Sequence, residues 1–121
     1  MTDNPLSRKL FVMFVSVAVD AGSEERSREL ADLLAQYGLE KIQRGLWESA
    51  VVSPATLDRL KRDLDRSTDA YDRIRIFQFP VDGTLVLSTL REKKWRRMVA
   101  RLPQSGGTEG RGGPPPRSGR K

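Results

Sequence analysis

The 121-residue chain contains no cysteine and no histidine. The first absence excludes disulfides, thiolate zinc sites, iron–sulfur clusters and a thiol nucleophile. The second excludes an imidazole base, a Ser-His-Asp triad and any histidine-ligated metal. Chemistry here falls to carboxylates, Lys, Tyr, Ser and Thr, or to a hard cation held through oxygen. Long apolar runs are lacking too. The longest, Leu10 to Val19, is broken only by Ser16 and is well short of the ~20 residues of a membrane span. Arg8 and Lys9 precede it as a signal-peptide n-region would, but no clean small-x-small cleavage pattern follows. The expectation is a soluble cytoplasmic protein with no membrane partner. Neither GxxxxGK[ST] nor GxGxxG follows the apolar run, which removes the glycine-rich phosphate loops. RGLWES is the nearest approach to the aromatic signature of an RNA-recognition motif, and it does not fit.

What is present is an uneven charge. The net of +6 hides a slightly acidic stretch over residues 1–90 and a basic one from residue 91 onward. Residues 103–121 hold most of the chain's proline and glycine and almost nothing apolar. They cannot bury enough surface to offset their ordering entropy, so they read as a disordered tail after one domain over residues 1–102.

Leu10 to Val19 reads as a strand buried on both faces. Ser23 is an N-cap, Glu24 and Glu25 suit the positive end of a helix, and Leu30, Leu33, Leu34 and Tyr37 form its apolar stripe. Gly38 ends that helix. Residues 39–52 carry two short strands with Arg44-Gly45 as a turn or bulge between them. Ser53-Pro54 opens a second helix with Leu57, Leu60 and Leu64 inward. Its other faces carry the spacings Asp58 with Arg62 and Arg59 with Asp63. Arg73 to Phe79 and Thr84 to Leu90 read as strands joined at Asp82-Gly83. Arg91 to Leu102 reads as a basic amphipathic helix with Trp95, Met98, Val99 and Leu102 on one face. The order predicts an α+β fold: a ferredoxin-like βαββαβ sandwich with an extra C-terminal strand and a basic helix.

Asp20 stands at the end of the most buried strand, just before a helix. Such an Asp either receives backbone N–H groups in the turn or serves a metal ion at the sheet rim. A single carboxylate makes a poor cage, so a metal site would need a two-fold dimer and a phosphate-bearing substrate. The segment REKKWRRMVARL either docks its Trp95 face on the core, lies on a membrane surface or binds nucleic acid. Its apolar face is small for a membrane helix.

The combination resembles the smaller of the two near-universal CRISPR adaptation proteins, the CRISPR-associated protein two family. The resemblance rests on FVSVAVD, RSRELADLLAQYGLEKIQRGLWES, SPATLDRLKRDL and YDRIRIFQFP, spread over residues 10–80. It implies a ferredoxin-like, metal-dependent endonuclease that forms homodimers, binds DNA or RNA and bridges the CRISPR integrase. Asp20 matches the family's acidic residue, which implies a catalytic Mg²⁺ ligand. Arg26, Arg28 and Lys41 match its basic positions, and Gln43 and Trp47 its Gln and aromatic positions. Lys93, Lys94, Arg96 and Arg97 of the basic segment are the further nucleic-acid contacts expected. Two positions depart from the pattern: Val19 stands where an aromatic is usual, and Gly45 where Ser is usual. Alternatives are a non-catalytic DNA-binding scaffold and a related toxin-type ribonuclease.

Overall fold

A computed structural model describes residues 12–80 and 83–101. Six strands and two helices follow one another as β1 (Met13–Asp20), α1 (Glu24–Gln36), β2 (Glu40–Gln43), β3 (Leu46–Val52), α2 (Pro54–Arg66), β4 (Arg73–Phe79), β5 (Thr84–Arg91) and β6 (Lys94–Arg101). The strands form one antiparallel sheet in the order β2-β3-β1-β4-β5-β6. The first four strands have the ferredoxin-like order, with β5 and β6 extending one side.

Both helices start and stop where local chemistry dictates. The Ser23 hydroxyl accepts from the Arg26 N–H and the Ser53 hydroxyl from the Thr56 N–H, each at 3.1 Å. Pro54 fills the first turn of α2, where its missing N–H costs nothing. At the end of α1, Gly38 takes a φ of +86°. The Leu39 N–H then bonds the Leu34 carbonyl and the Gly38 N–H bonds the Ala35 carbonyl. That closing pair satisfies two end carbonyls and drives Leu39 into the core beside Leu34.

The helices cover one face of the sheet. Leu30 and Leu34 from α1, and Leu57, Leu60 and Leu64 from α2, join Met13, Val15 and Val17 of β1, Ile74 and Ile76 of β4 and Leu90 of β5 in one buried cluster. Alternate residues of the same strands point to the opposite face, which carries no helix among the described residues. Thus β1 does not bury both faces alike: Phe14, Ala18 and Asp20 stand on the open side. The expected pairs Asp58–Arg62 and Arg59–Asp63 are not among the ion pairs of α2, where Arg66 instead meets Asp63 at 2.6 Å.

The basic C-terminal segment corrects the sequence expectation. It is a strand, not a helix, and completes a hairpin with β5 through the two-residue turn Glu92-Lys93. Both turn residues have positive φ, 54° and 62°. This is the turn whose twist suits a tight hairpin, although neither residue is the usual Gly or Asn. Lys93 supports it by donating from Nζ to the carbonyls of Asp65, in the last turn of α2, and of Thr68 just past it, with the Asp65 carboxylate 3.3 Å away. The apolar positions 95, 98 and 99 follow a helical spacing, and in the strand Met98 falls on the opposite face from Trp95 and Val99. Pairing with β5 along its whole length decides for the strand. Consequently the basic residues of β6 belong to the sheet. The expected tail over residues 103–121 lies outside the described residues, as do Leu102, Asp82 and the start of the first apolar run.

Candidate nucleic-acid interface

Paired residues on neighbouring strands share a face, so the register sorts what the helices leave open. One row across the open face runs Asp20–Arg73–Arg91–Lys94, through β1, β4, β5 and β6. Two residues along, the next row runs Ala18–Arg75–Thr89–Arg96. Arg73, Arg75, Arg91, Lys94 and Arg96 are all exposed, as is Asp20. None of these six is in an ion pair among the described residues. At the corner, Arg91, Lys94 and Arg96 line a depression of about 480 Å³. The following row, Phe77–Leu87–Met98, is apolar. Next to it Phe14 packs on Phe79 with ring centroids 5.5 Å apart. Phe79 and Met98 remain 44% and 58% exposed. The open face is therefore divided into a basic end and an apolar end.

The expected site residues do not form one cluster. Arg28 and Lys41 come together on the helix side, in a cleft of about 220 Å³ that Arg44, Ser27 and Trp47 also line. Arg44 was missed from sequence because nothing before the fold links the β2–β3 turn to α1. Trp47 is 8% exposed and lies chiefly in the core, and Gln43 is exposed at the end of β2. Lys94 and Arg96 lie on the open face, whereas Arg97 lies on the helix side, paired with Ser88. There Lys61 Nζ donates to the Ser88 hydroxyl at 3.0 Å and sits 5.8 Å from the Trp95 ring centre. Burial lowers the Lys61 pKa; Asp58 opposes that shift and Arg97 adds to it.

Arg26 and Lys93 are engaged in holding the fold. The Arg26 guanidinium donates to the Ser67 carbonyl at 2.6 Å and to Glu29 at 3.0 Å, and pairs with Asp72 at 3.1 Å. Asp72 is 1% exposed. Its other contacts are the N–H of Gly22 at 2.7 Å and of Asp69 at 2.8 Å. It ties the β1–α1 turn to the α2–β4 turn, the backbone-binding role that sequence left open for Asp20. Asp72 was not legible as this clamp because its partners lie up to 50 residues away. Asp69 stays below its ordinary pKa chiefly because the Tyr71 N–H bonds it; burial opposes this and Arg26 assists.

The two departures from the family pattern touch each other. The Val19 N–H donates to the Gly45 carbonyl at 2.7 Å. Gly45 has a φ of +75°, and a Cβ there would stand 2.8 Å from the Val19 carbonyl oxygen. Residue 45 is thus confined to glycine by the strand end that presents Asp20.

The donor set of one chain is a poor match for Mg²⁺. Among the described residues no three carboxylates gather to hold an ion. Asp20 is a single carboxylate whose strand partner is Arg73, followed by Arg91. One chain alone does not fit a resident divalent cation at this position, where a cation would meet more positive than negative charge.

No curated protein matches the chain. Among solved structures it is similar to a crystal structure of Cas2, with 32% identity, a TM-score of 0.52, and coverage of 56% of this chain and 75% of that one. The family model for CRISPR-associated protein Cas2 matches residues 13–98, from the first residue of β1 into β6. With the antiparallel sheet and the two helices on one face, the chain belongs to the Cas2 family of CRISPR-associated proteins.

Proposed function

We propose that this chain serves in CRISPR adaptation as a homodimer that binds DNA or RNA and bridges the CRISPR integrase in the cytoplasm. The family match across residues 13–98 carries this reading. Two features support its parts. The apolar end of the open face, with Phe77, Phe79, Leu87 and Met98, is a surface that a second copy would cover. The uncommitted cations of the basic end, and Arg28 with Lys41 in the cleft, suit a phosphate backbone. No described helix is long and apolar enough to cross a membrane.

The second reading is a Mg²⁺-dependent endonuclease. It is motivated by the position of Asp20 on the open face; a two-fold pair with both copies of Asp20 near its axis would supply two carboxylates. An ion shared by both carboxylates and a substrate phosphate would polarise that phosphate. The scaffold reading requires no such ion.

One experiment separates the readings. Purified protein is incubated with labelled DNA and RNA in Mg²⁺ or EDTA, beside Asp20→Ala, and its mass is followed by sedimentation. A dimer that retains nucleic acid without cutting it is the expected scaffold result. Cleavage lost in both EDTA and Asp20→Ala supports the nuclease. A monomer that binds neither nucleic acid overturns the proposed role.

A further inference from the structure

We infer that Lys61 is an acylation site. The groove between α2 and the β5–β6 hairpin accepts a small acyl phosphate, whose acyl group passes to the Lys61 amine while Arg62 and Arg97 hold its phosphate. This inference is independent of the function proposed above.

Position on α2 brings the amine there. Leu57, Leu60 and Leu64 form the buried stripe of the helix, and Lys61, four residues after Leu57, stands at the edge of that stripe. Its stem therefore crosses the hairpin before its head reaches solvent. Lys61 is half-buried, whereas Lys41, Lys93 and Lys94 are exposed. Its Nζ donates to the Ser88 hydroxyl at 3.0 Å and lies 5.8 Å from the Trp95 ring centre. It is in no ion pair among the described residues. Ser88 itself is buried, so the amine meets a dry wall on the sheet side. The ammonium thus has one hydroxyl and one ring face in place of a full water shell. Burial lowers its pKa, Arg97 adds to the shift and Asp58 opposes it. Losing a proton leaves the N–H donation to Ser88 in place and frees a lone pair for attack.

The groove measures about 380 Å³, within the ~300–1,000 Å³ of small-molecule sites. Arg62 and Arg97 line it together with the amine, and both are exposed. Arg97 is the strand partner of Ser88. Two carboxylates line it as well. Asp65 is paired with Lys93 at 3.3 Å, which leaves Asp58 against Lys61, Arg62, Arg96 and Arg97. The balance is positive and suits a phosphate dianion. In the step itself Nζ attacks the acyl carbon and the bond from that carbon to the bridging oxygen breaks. Phosphate leaves with the electron pair and with the proton lost from nitrogen. The product is a neutral amide, and nothing is oxidised or reduced.

The test incubates the full chain with acetyl phosphate across a pH series and follows each lysine by peptide mass spectrometry. The uncharged ester N-acetoxysuccinimide is the second reagent. At neutral pH Lys61 should react with acetyl phosphate about fivefold or more faster than Lys41 or Lys94, since one unit of lowered pKa gives about tenfold more free amine. Its rate should level off below the ordinary 10.5. Inorganic phosphate should slow acetyl phosphate at Lys61 and leave the ester reaction unchanged, a readout that needs no variant. Arg62→Gln and Arg97→Gln should each slow acetyl phosphate at Lys61 by about tenfold and the ester by about twofold, the size of a lost charge-assisted contact against a lost neighbouring charge. Arg97→Lys should restore most of the rate, and thermal melts check that each variant is folded. Lys61→Arg should remove the fast site and leave Lys41 and Lys94 as before. The inference is wrong if Lys61 reacts no faster than Lys41 and Lys94, if phosphate does not compete, or if the arginine variants slow both reagents equally.

Discussion

Replacing Asp72 by Ala removes the acceptor that joins two turns and a helix. Its carboxylate is 1% exposed and meets the Gly22 and Asp69 N–H groups and the Arg26 guanidinium. Stranding a buried donor costs about 1–3 kcal/mol, and two are stranded here. The Arg26 side chain is 28% exposed and keeps Glu29 and Asp69, so its lost partner adds less than a fully buried pair would. The expected destabilisation is about 3 kcal/mol, a large part of the usual 5–15 kcal/mol of a domain. For a domain of this size it lowers Tm by roughly 12–24 °C, at about 4–8 °C per kcal/mol. Arg26→Ala leaves the Asp72 charge with two N–H partners and should cost about 2 kcal/mol. Denaturant melts of both single variants and the double variant should reveal a coupling of about 1 kcal/mol, because either change breaks the same contact. Any drop in nucleic-acid affinity of Arg26→Ala should track its folded fraction. The reasoning fails if Asp72→Ala melts within about 0.5 kcal/mol of wild type, or if Arg26→Ala weakens binding with its Tm unchanged.

Gly45→Ala should destabilise by about 1–3 kcal/mol, since it combines a φ of +75° with a Cβ 2.8 Å from the Val19 oxygen; a melt unchanged from wild type would refute the close packing. Tyr37 donates a short hydrogen bond from its hydroxyl to Asp63. That bond holds the Asp63 carboxyl below its ordinary 3.8, with Arg66 assisting, and is the main cause that raises Tyr37 above 10.0. The Asp63 contribution is therefore present above its unfolded value and lost as pH falls through its lowered native value. The Tyr37 contribution is present below 10.0 and lost as pH rises through its raised native value. Tyr37→Phe should flatten both limbs of a Tm-against-pH curve, and unchanged limbs would show that the contact is not maintained in solution. Glu92→Asn, at a φ of 54°, should stabilise by about 0.5–1 kcal/mol because Asn tolerates the left-handed region. A loss of stability would instead favour a helix across residues 91–102.

The elements with strong local signals were legible in advance. Ser23, Gly38 and Ser53-Pro54 carry capping chemistry that acts within a few residues, and β4 was bounded as Arg73–Phe79 from its own pattern. The strand at Lys94–Arg101 was not, because Trp95, Met98 and Val99 satisfy a helical period and Glu92-Lys93 lacks the Asn or Gly of a hairpin signal. Its state depends on β5, which no window over the segment contains. The same limit applied to function. Asp20 stands out at the end of its own strand, but its neighbours Arg73 and Arg91 arrive from 53 and 71 positions further along the chain. Arg26 is basic at an expected position, yet only the folded turn containing Asp72 reveals what occupies it.

Among the described residues the sheet has two unpaired margins of different kinds. At one side β2 is only four residues long and therefore offers little to pair with. At the other, β6 is eight residues long and carries Lys94, Arg96, Arg97 and Arg101 with no acid among them. A long free margin is a template for unwanted strand addition, and like charge is what keeps two such margins apart. The same cations therefore act as a guard on solubility whenever no polyanion is present. Added salt or a bound polyphosphate chain removes that guard, so the conditions that screen or saturate the face are also those in which molecules can zip together along β6.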